Sequence, residues 1–165
     1  MDIYEFSLNM EREGEEYYRL LAKNTTSPGL YKIFTMLADE EVKHCKVIES
    51  IKQKDKTPFA AKADILDQVK NIFMVMADTQ EYPRVDATRA TKEYTKACAI
   101  EKNSLLFYLE KAEQDKDEHV REVFNRLAKE EALHLAIMEN IVEFVSRPEP
   151  GNWLENAEWH HLEEY

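Results

Sequence analysis

Glu40-Glu41-Val42-Lys43-His44 and Glu130-Glu131-Ala132-Leu133-His134 are two copies of one pattern, a glutamate followed three residues later by a histidine, set ninety residues apart. At the same offset, and with no insertion or deletion, Glu11 and Tyr18 recur as Glu101 and Tyr108. A quartet repeated at a fixed offset marks one structural unit used twice. A spacing of three puts Glu41 with His44, and Glu131 with His134, on one face of a helix.

The surrounding residues supply the helices. Thr25-Thr26-Ser27-Pro28 separates two stretches of helical periodicity, and the pattern predicts helices over 3–25 and 28–54, with Ser27 as cap and Pro28 at the first helical position. So short a connection makes the two helices antiparallel neighbours. Glu11 and Glu41 lie equally far from the centre of that turn, roughly 22 Å away at about 1.5 Å per residue, so they face each other. Glu101 and Glu131 are placed in the same way about a second turn near Lys116 and Asp117.

In the second helix the apolar stripe runs through Leu30, Ile33, Phe34, Leu37, Ile48 and Ile51, and Glu41 and His44 occupy its gap. The fourth copies it with Val120, Val123, Phe124 and Leu127, then Glu131 and His134, then Met138, Ile141 and Val145. The acids and imidazoles therefore point into the core. An ionised carboxylate buried without a partner costs several kcal/mol, and four together require a compensating positive charge. Two divalent cations balance four carboxylates, while two neutral imidazoles complete the shell. Mixed carboxylate and imidazole donors suit iron, manganese or, less often, zinc. One glutamate from each of two helices plus Glu-x-x-His from each of two others is the donor set of di-iron and di-manganese four-helix proteins.

Met10-Glu11-Arg12-Glu13-Gly14, Tyr18, Glu40-Glu41-Val42-Lys43-His44, Glu101, Tyr108 and Glu130-Glu131-Ala132-Leu133-His134 resemble the ferritin-like di-iron domain of the rubrerythrins, over residues 3 to about 146. The resemblance implies an all-α, ferritin-like antiparallel four-helix bundle, two hairpins joined by a long crossover, holding two iron ions. Glu11 and Glu101 would be terminal or bridging ligands, Glu41 and Glu131 would bridge, and His44 and His134 would each cap one metal. Tyr18 and Tyr108 lean back toward the metal layer and would hydrogen-bond a ligand carboxylate, the alternative being plain core packing. Glu40 and Glu130 stand in reserve as ligands. The implied activity is reduction of hydrogen peroxide, with ferroxidase chemistry on dioxygen for iron storage or detoxification, or a non-catalytic metal-binding bundle, as alternatives.

Two departures from the family pattern matter. The chain has no Cys-x-x-Cys, so no rubredoxin-type domain is expected in it, and electrons are expected from an external carrier such as a rubredoxin. Where rubrerythrins carry a further glutamate one turn beyond the third-helix ligand, this chain has Ser104, whose counterpart in the first repeat is Gly14. That substitution weighs toward the ferroxidase alternative.

The 165 residues suffice for one sizeable core, and only 3 Gly and 5 Pro favour long helices. A formal net charge of −11 argues against nucleic acid as a partner. No apolar stretch is long enough to span a membrane and no signal peptide is evident, so a cytoplasmic protein is expected. Cys45 and Cys98 make no disulfide framework and read as small packing residues. Residues 55–86 provide the crossover, in which Ile65, Leu66, Val69, Ile72, Phe73 and Met76 form an apolar helical face. Met74 and Val75 widen that face, which suits a homodimer. The segment Thr79 to Val85 reads as a loop, with the next helix starting near Asp86 or Thr91. The ferritin-like domain is expected over 1–147, followed by a tail helix over 148–165 whose Trp153 and Trp159 anchor it on the bundle or on a partner subunit. His160 and His161 diverge by about 100° on a helix and cannot share a metal; His119 is expected at the surface.

Overall fold

A computed structural model describes residues 1–56, 64–81 and 87–146. Five helices follow one another: α1 (Ile3–Asn24), α2 (Pro28–Lys52), α3 (Ile65–Asp78), α4 (Ala87–Gln114) and α5 (Glu118–Ser146), with no strand among the described residues. The proposed tail helix over 148–165, with both tryptophans, lies outside them, as does most of the loop before α4.

Each boundary has a local cause. Asp2 caps α1 by accepting from the Glu5 amide at 2.8 Å. Ser27 caps α2 through the Leu30 amide at 3.1 Å, with Pro28 in the first turn, where a missing N–H costs nothing. Asp117 accepts from the amides of His119 (2.9 Å) and Val120 (3.4 Å) and so starts α5. His119 itself is half-buried rather than fully exposed.

Cross-helix contacts fix the directions. Arg19 meets Asp39, and Lys52 meets Glu5, so α1 and α2 are antiparallel. Tyr17 reaches Glu93 while the Phe6 ring meets that of Phe107, so α1 and α4 are antiparallel as well. It follows that α2 and α4 run parallel, as a long crossover requires. This is the architecture of a ferritin-like helical bundle.

Helix α3 covers one end of the bundle with Ile65, Val69, Phe73 and Met76, and leaves Met74 and Val75 exposed. Its Met76 packs where Gly29 opens α2: a Cβ at position 29 would lie 2.3 Å from the Met76 sulfur. Just past α3, the Glu81 carboxylate accepts from Ser27 Oγ at 2.6 Å and from the Gly29 amide at 2.8 Å. An acid at the positive end of α2 thus ties the crossover to the first hairpin's turn.

The apolar interior falls into two layers. One holds Tyr18, Phe34, Leu37, Tyr94, Ile137 and Met138 together with α3. The other holds Leu8, Ile48, Tyr108, Phe124 and Leu127. Along α2 and α5 the residues that separate the layers are Glu41 with His44 and Glu131 with His134. Cys98 packs at the edge of the first layer and Cys45 at the edge of the second.

Candidate metal centre

Four helices each deliver acid to the level between the two layers. Glu11 comes from α1, Glu41 and His44 from α2, Glu101 from α4, and Glu131 and His134 from α5; none of the six is more than 3% exposed. The i, i+3 spacing places glutamate and histidine of one helix side by side, and the hairpins bring the four helices face to face.

Two overlapping groups result. Glu11, Glu41, His44 and Glu131 offer ligand atoms all within 4.8 Å of one another, and so do Glu41, Glu101, Glu131 and His134. Glu41 and Glu131 belong to both. His44 Nδ1 lies 3.2 Å from Glu11, 2.9 Å from Glu131 and 3.5 Å from Glu41. His134 Nδ1 lies 3.2 Å from Glu41 and 3.7 Å from Glu101. The two imidazoles are nearly parallel, their centroids 5.4 Å apart.

The electrostatics are those of a site built to be neutralised. Burial, then the charge of Glu41, raises the Glu11 carboxyl to about 8. Burial pushes Glu41 upward too, but hydrogen bonds from Glu11, His134 and His44 outweigh it and hold Glu41 well below the carboxylate range, so the pair shares one proton. Glu131 is pushed far up by burial and by Glu41, Glu11 and Glu101. Burial alone would depress the histidines; the acids around them raise both well above the usual imidazole value.

One atom stands out. Glu131 Oε1 is fully buried with no hydrogen-bond partner, although His44 Nδ1 is only 2.9 Å away, because the geometry between them is wrong for a hydrogen bond. A buried orphan acceptor costs about 1–3 kcal/mol or more when charged. A buried carboxylate oxygen left without a donor among such ligand atoms is what a bound cation would satisfy, so the donor set fits a metal ion.

Tyr18 Oη donates to Glu101 and Tyr108 Oη donates to Glu11. Burial, followed by neighbouring carboxylates, raises both phenols well above their ordinary value, so they keep the proton they donate. Each tyrosine reaches across to the other hairpin rather than to the glutamate on its own helix. Glu130 does something that spacing within a helix does not predict: its Oε2 lies 2.9 Å from His44 Nε2, across the α2–α5 seam. Glu40 lies within 4.8 Å of nitrogens of both histidines but pairs with Lys43 at 2.6 Å. Ser104 is buried one turn after Glu101, and a Cβ at Gly14 would touch the Glu41 side chain at 3.6 Å, an ordinary contact. Burial raises the thiols of Cys45 and Cys98 to about 11, so neither offers a thiolate.

Residues 2–69 match the family model named Rubrerythrin. The chain is consistent with a rubrerythrin-type ferritin-like protein. The match takes in Glu11, Tyr18, Glu41 and His44, and the second hairpin carries their copies at Glu101, Tyr108, Glu131 and His134. No curated protein and no solved structure matches. The clustered acids and imidazoles could hold a metal ion. No described helix is long and apolar enough to cross a membrane.

Proposed function

We propose that the chain is a binuclear non-haem iron oxidoreductase that reduces hydrogen peroxide with electrons from an external carrier such as a rubredoxin. The observation that carries this reading is the pair of buried four-residue groups that share Glu41 and Glu131. Glu11, Glu41, His44 and Glu131 would hold one ion, and Glu41, Glu101, Glu131 and His134 the other; manganese or zinc could compete for the same donors. Bound iron supplies the two electrons that a peroxide needs, one from each ion.

The chain's own residues orient and insulate. Tyr18 and Tyr108 hold Glu101 and Glu11 from the far hairpin, and Glu130 holds the His44 ring. Phe34, Leu37 and Ile137 on one side, and Ile48, Phe124 and Leu127 on the other, form the low-dielectric walls that keep bulk water from the acids. Two free thiols support a reducing, cytoplasmic setting. A homodimer that covers Met74 and Val75 is the assembly we infer.

Ser104, small where the resemblance leads one to expect a further carboxylate, favours ferroxidase chemistry as the second reading. Stopped-flow oxidation of the Fe(II)-loaded protein separates the two. Fast oxidation by hydrogen peroxide with slow reaction toward dioxygen supports the peroxidase. Rapid dioxygen consumption with release of ferric product supports the ferroxidase. Stoichiometric metal that reacts with neither oxidant overturns both and leaves a structural metal.

A further inference from the structure

The two halves of the centre differ in the contact made on the outer side of each histidine. His44 presents Nδ1 to Glu11, Glu41 and Glu131, while its Nε2 is bonded to Glu130 of α5 at 2.9 Å. The ninety-residue repeat makes Glu40 the counterpart of Glu130, and Glu40 should serve His134 in the same way. It does not. Its Oε1 is 2.6 Å from Lys43 Nζ, one turn along the same helix, and among the described residues no carboxylate bonds His134 Nε2. Glu40 nonetheless lies within 4.8 Å of a His134 nitrogen, so proximity is not what is missing. The sequence gives the cause. Lys43 has Leu133 as its counterpart, so Glu130 meets no cation three residues on, and its only close basic neighbour on the same helix is Arg126 at 3.8 Å.

A histidine that donates its outer ring N–H to a carboxylate has its tautomer and orientation fixed, and its inner nitrogen becomes a better metal donor; losing such a partner costs about 10- to 100-fold in metal affinity. We propose that the two metal positions are inequivalent: the one facing His44 fills first because Glu130 sets Nδ1 toward it, whereas the one facing His134 lacks that brace because Lys43 holds Glu40 aside. Glu130 is a positioning residue in this scheme, acting through His44. The inference rests on the metal-binding reading of the centre above.

The test is titration of the metal-free protein with Co(II) alone, followed by visible absorption and by proton NMR of the exchangeable, paramagnetically shifted ring N–H signals. Two steps about 10- to 100-fold apart are expected, with a protected His44 ring proton after the first equivalent. Glu130→Ala should weaken the first step, merge it with the second and remove that proton signal. Glu40→Ala should leave both steps in place, and Lys43→Leu, which frees Glu40, should tighten the second. Two equal steps in the parent, or a first step indifferent to Glu130→Ala, overturn the inequivalence while leaving the centre intact. If Glu130→Ala does not fold, Lys43→Leu carries the test, and an unchanged second step overturns the proposal. No Co(II) uptake by the parent overturns the metal centre itself.

Discussion

Tyr18 of α1 is hydrogen-bonded to Glu101 of α4, so a phenol from one hairpin holds an acid belonging to the other. Tyr18→Phe keeps the ring, which is 2% exposed in the core, and removes only the donor. A hydrogen bond to a charged group contributes about 1.5–3 kcal/mol, and the stability of the metal-free protein should fall by that amount in urea titration. Tyr108→Phe should cost the same through Glu11. Variants as stable as the parent would show that the hydroxyls do not hold the acids.

Glu41 and Glu131 serve both groups. Changing both to alanine should abolish stoichiometric iron or manganese binding by metal analysis, and unchanged metal content would sink the two-ion reading. Glu131→Gln has a split outcome. It replaces a carboxyl whose ionisation burial and three neighbouring glutamates oppose with a neutral group of the same shape, so the metal-free protein should melt at a higher temperature than the parent while binding metal less tightly, a trade of function against stability.

The raised carboxyl of Glu11 makes the metal-free protein sensitive to alkali. Its pKa rises from 4.5 unfolded to about 8 folded. The stability it contributes is therefore complete below about pH 4.5 and is lost as pH climbs through about 8. Glu131, His44 and His134 shift upward too and act in the same sense. Glu41 and Glu130 are held low and oppose only at acid pH, where their contribution is lost. Denaturation midpoints of the metal-free protein should fall between about pH 5 and pH 9, and loading with Mn(II) should release protons and flatten the profile. A midpoint that rises over this range without metal would contradict the assignment.

Gly14 and Gly29 sit in helices in opposite circumstances. A Cβ at Gly29 would overlap the Met76 side chain, so Gly29→Ala must push that buried thioether aside and should cost about 1–3 kcal/mol. Pairing it with Met76→Ala should give less than the sum of the two single effects, the sign of a direct clash. Gly14→Ala meets Glu41 only at 3.6 Å and should stabilise the protein by up to about 1 kcal/mol through helix propensity, with metal content retained. Melting temperatures distinguish the two.

The helices, the hairpin turns and the level at which the acids meet were legible in the sequence, because periodicity and turn arithmetic act within a hairpin. α1 and α2 end within two residues of the boundaries the pattern implies, and the crossover helix buries the face its apolar spacing marks. Contacts between hairpins were not legible. Glu130 sits four residues before His134, which marks it as a reserve ligand on its own helix, yet it turns to His44 because its side of α5 faces α2. The Glu81 cap on α2 was hidden for the same reason: an acid fifty-odd positions along the chain carries no local sign of the amide it will accept from.

Each tyrosine and each histidine of the centre reaches an acid on the opposite helix pair. Neither half of the gene product therefore holds a complete shell, although each encodes the same parts. Cut apart, either helix pair would keep its own glutamates and histidine and lose the phenol and the acid that the other supplies. Lys43 against Leu133, and Gly14 against Ser104, are where the two otherwise matching pairs part company around the shell.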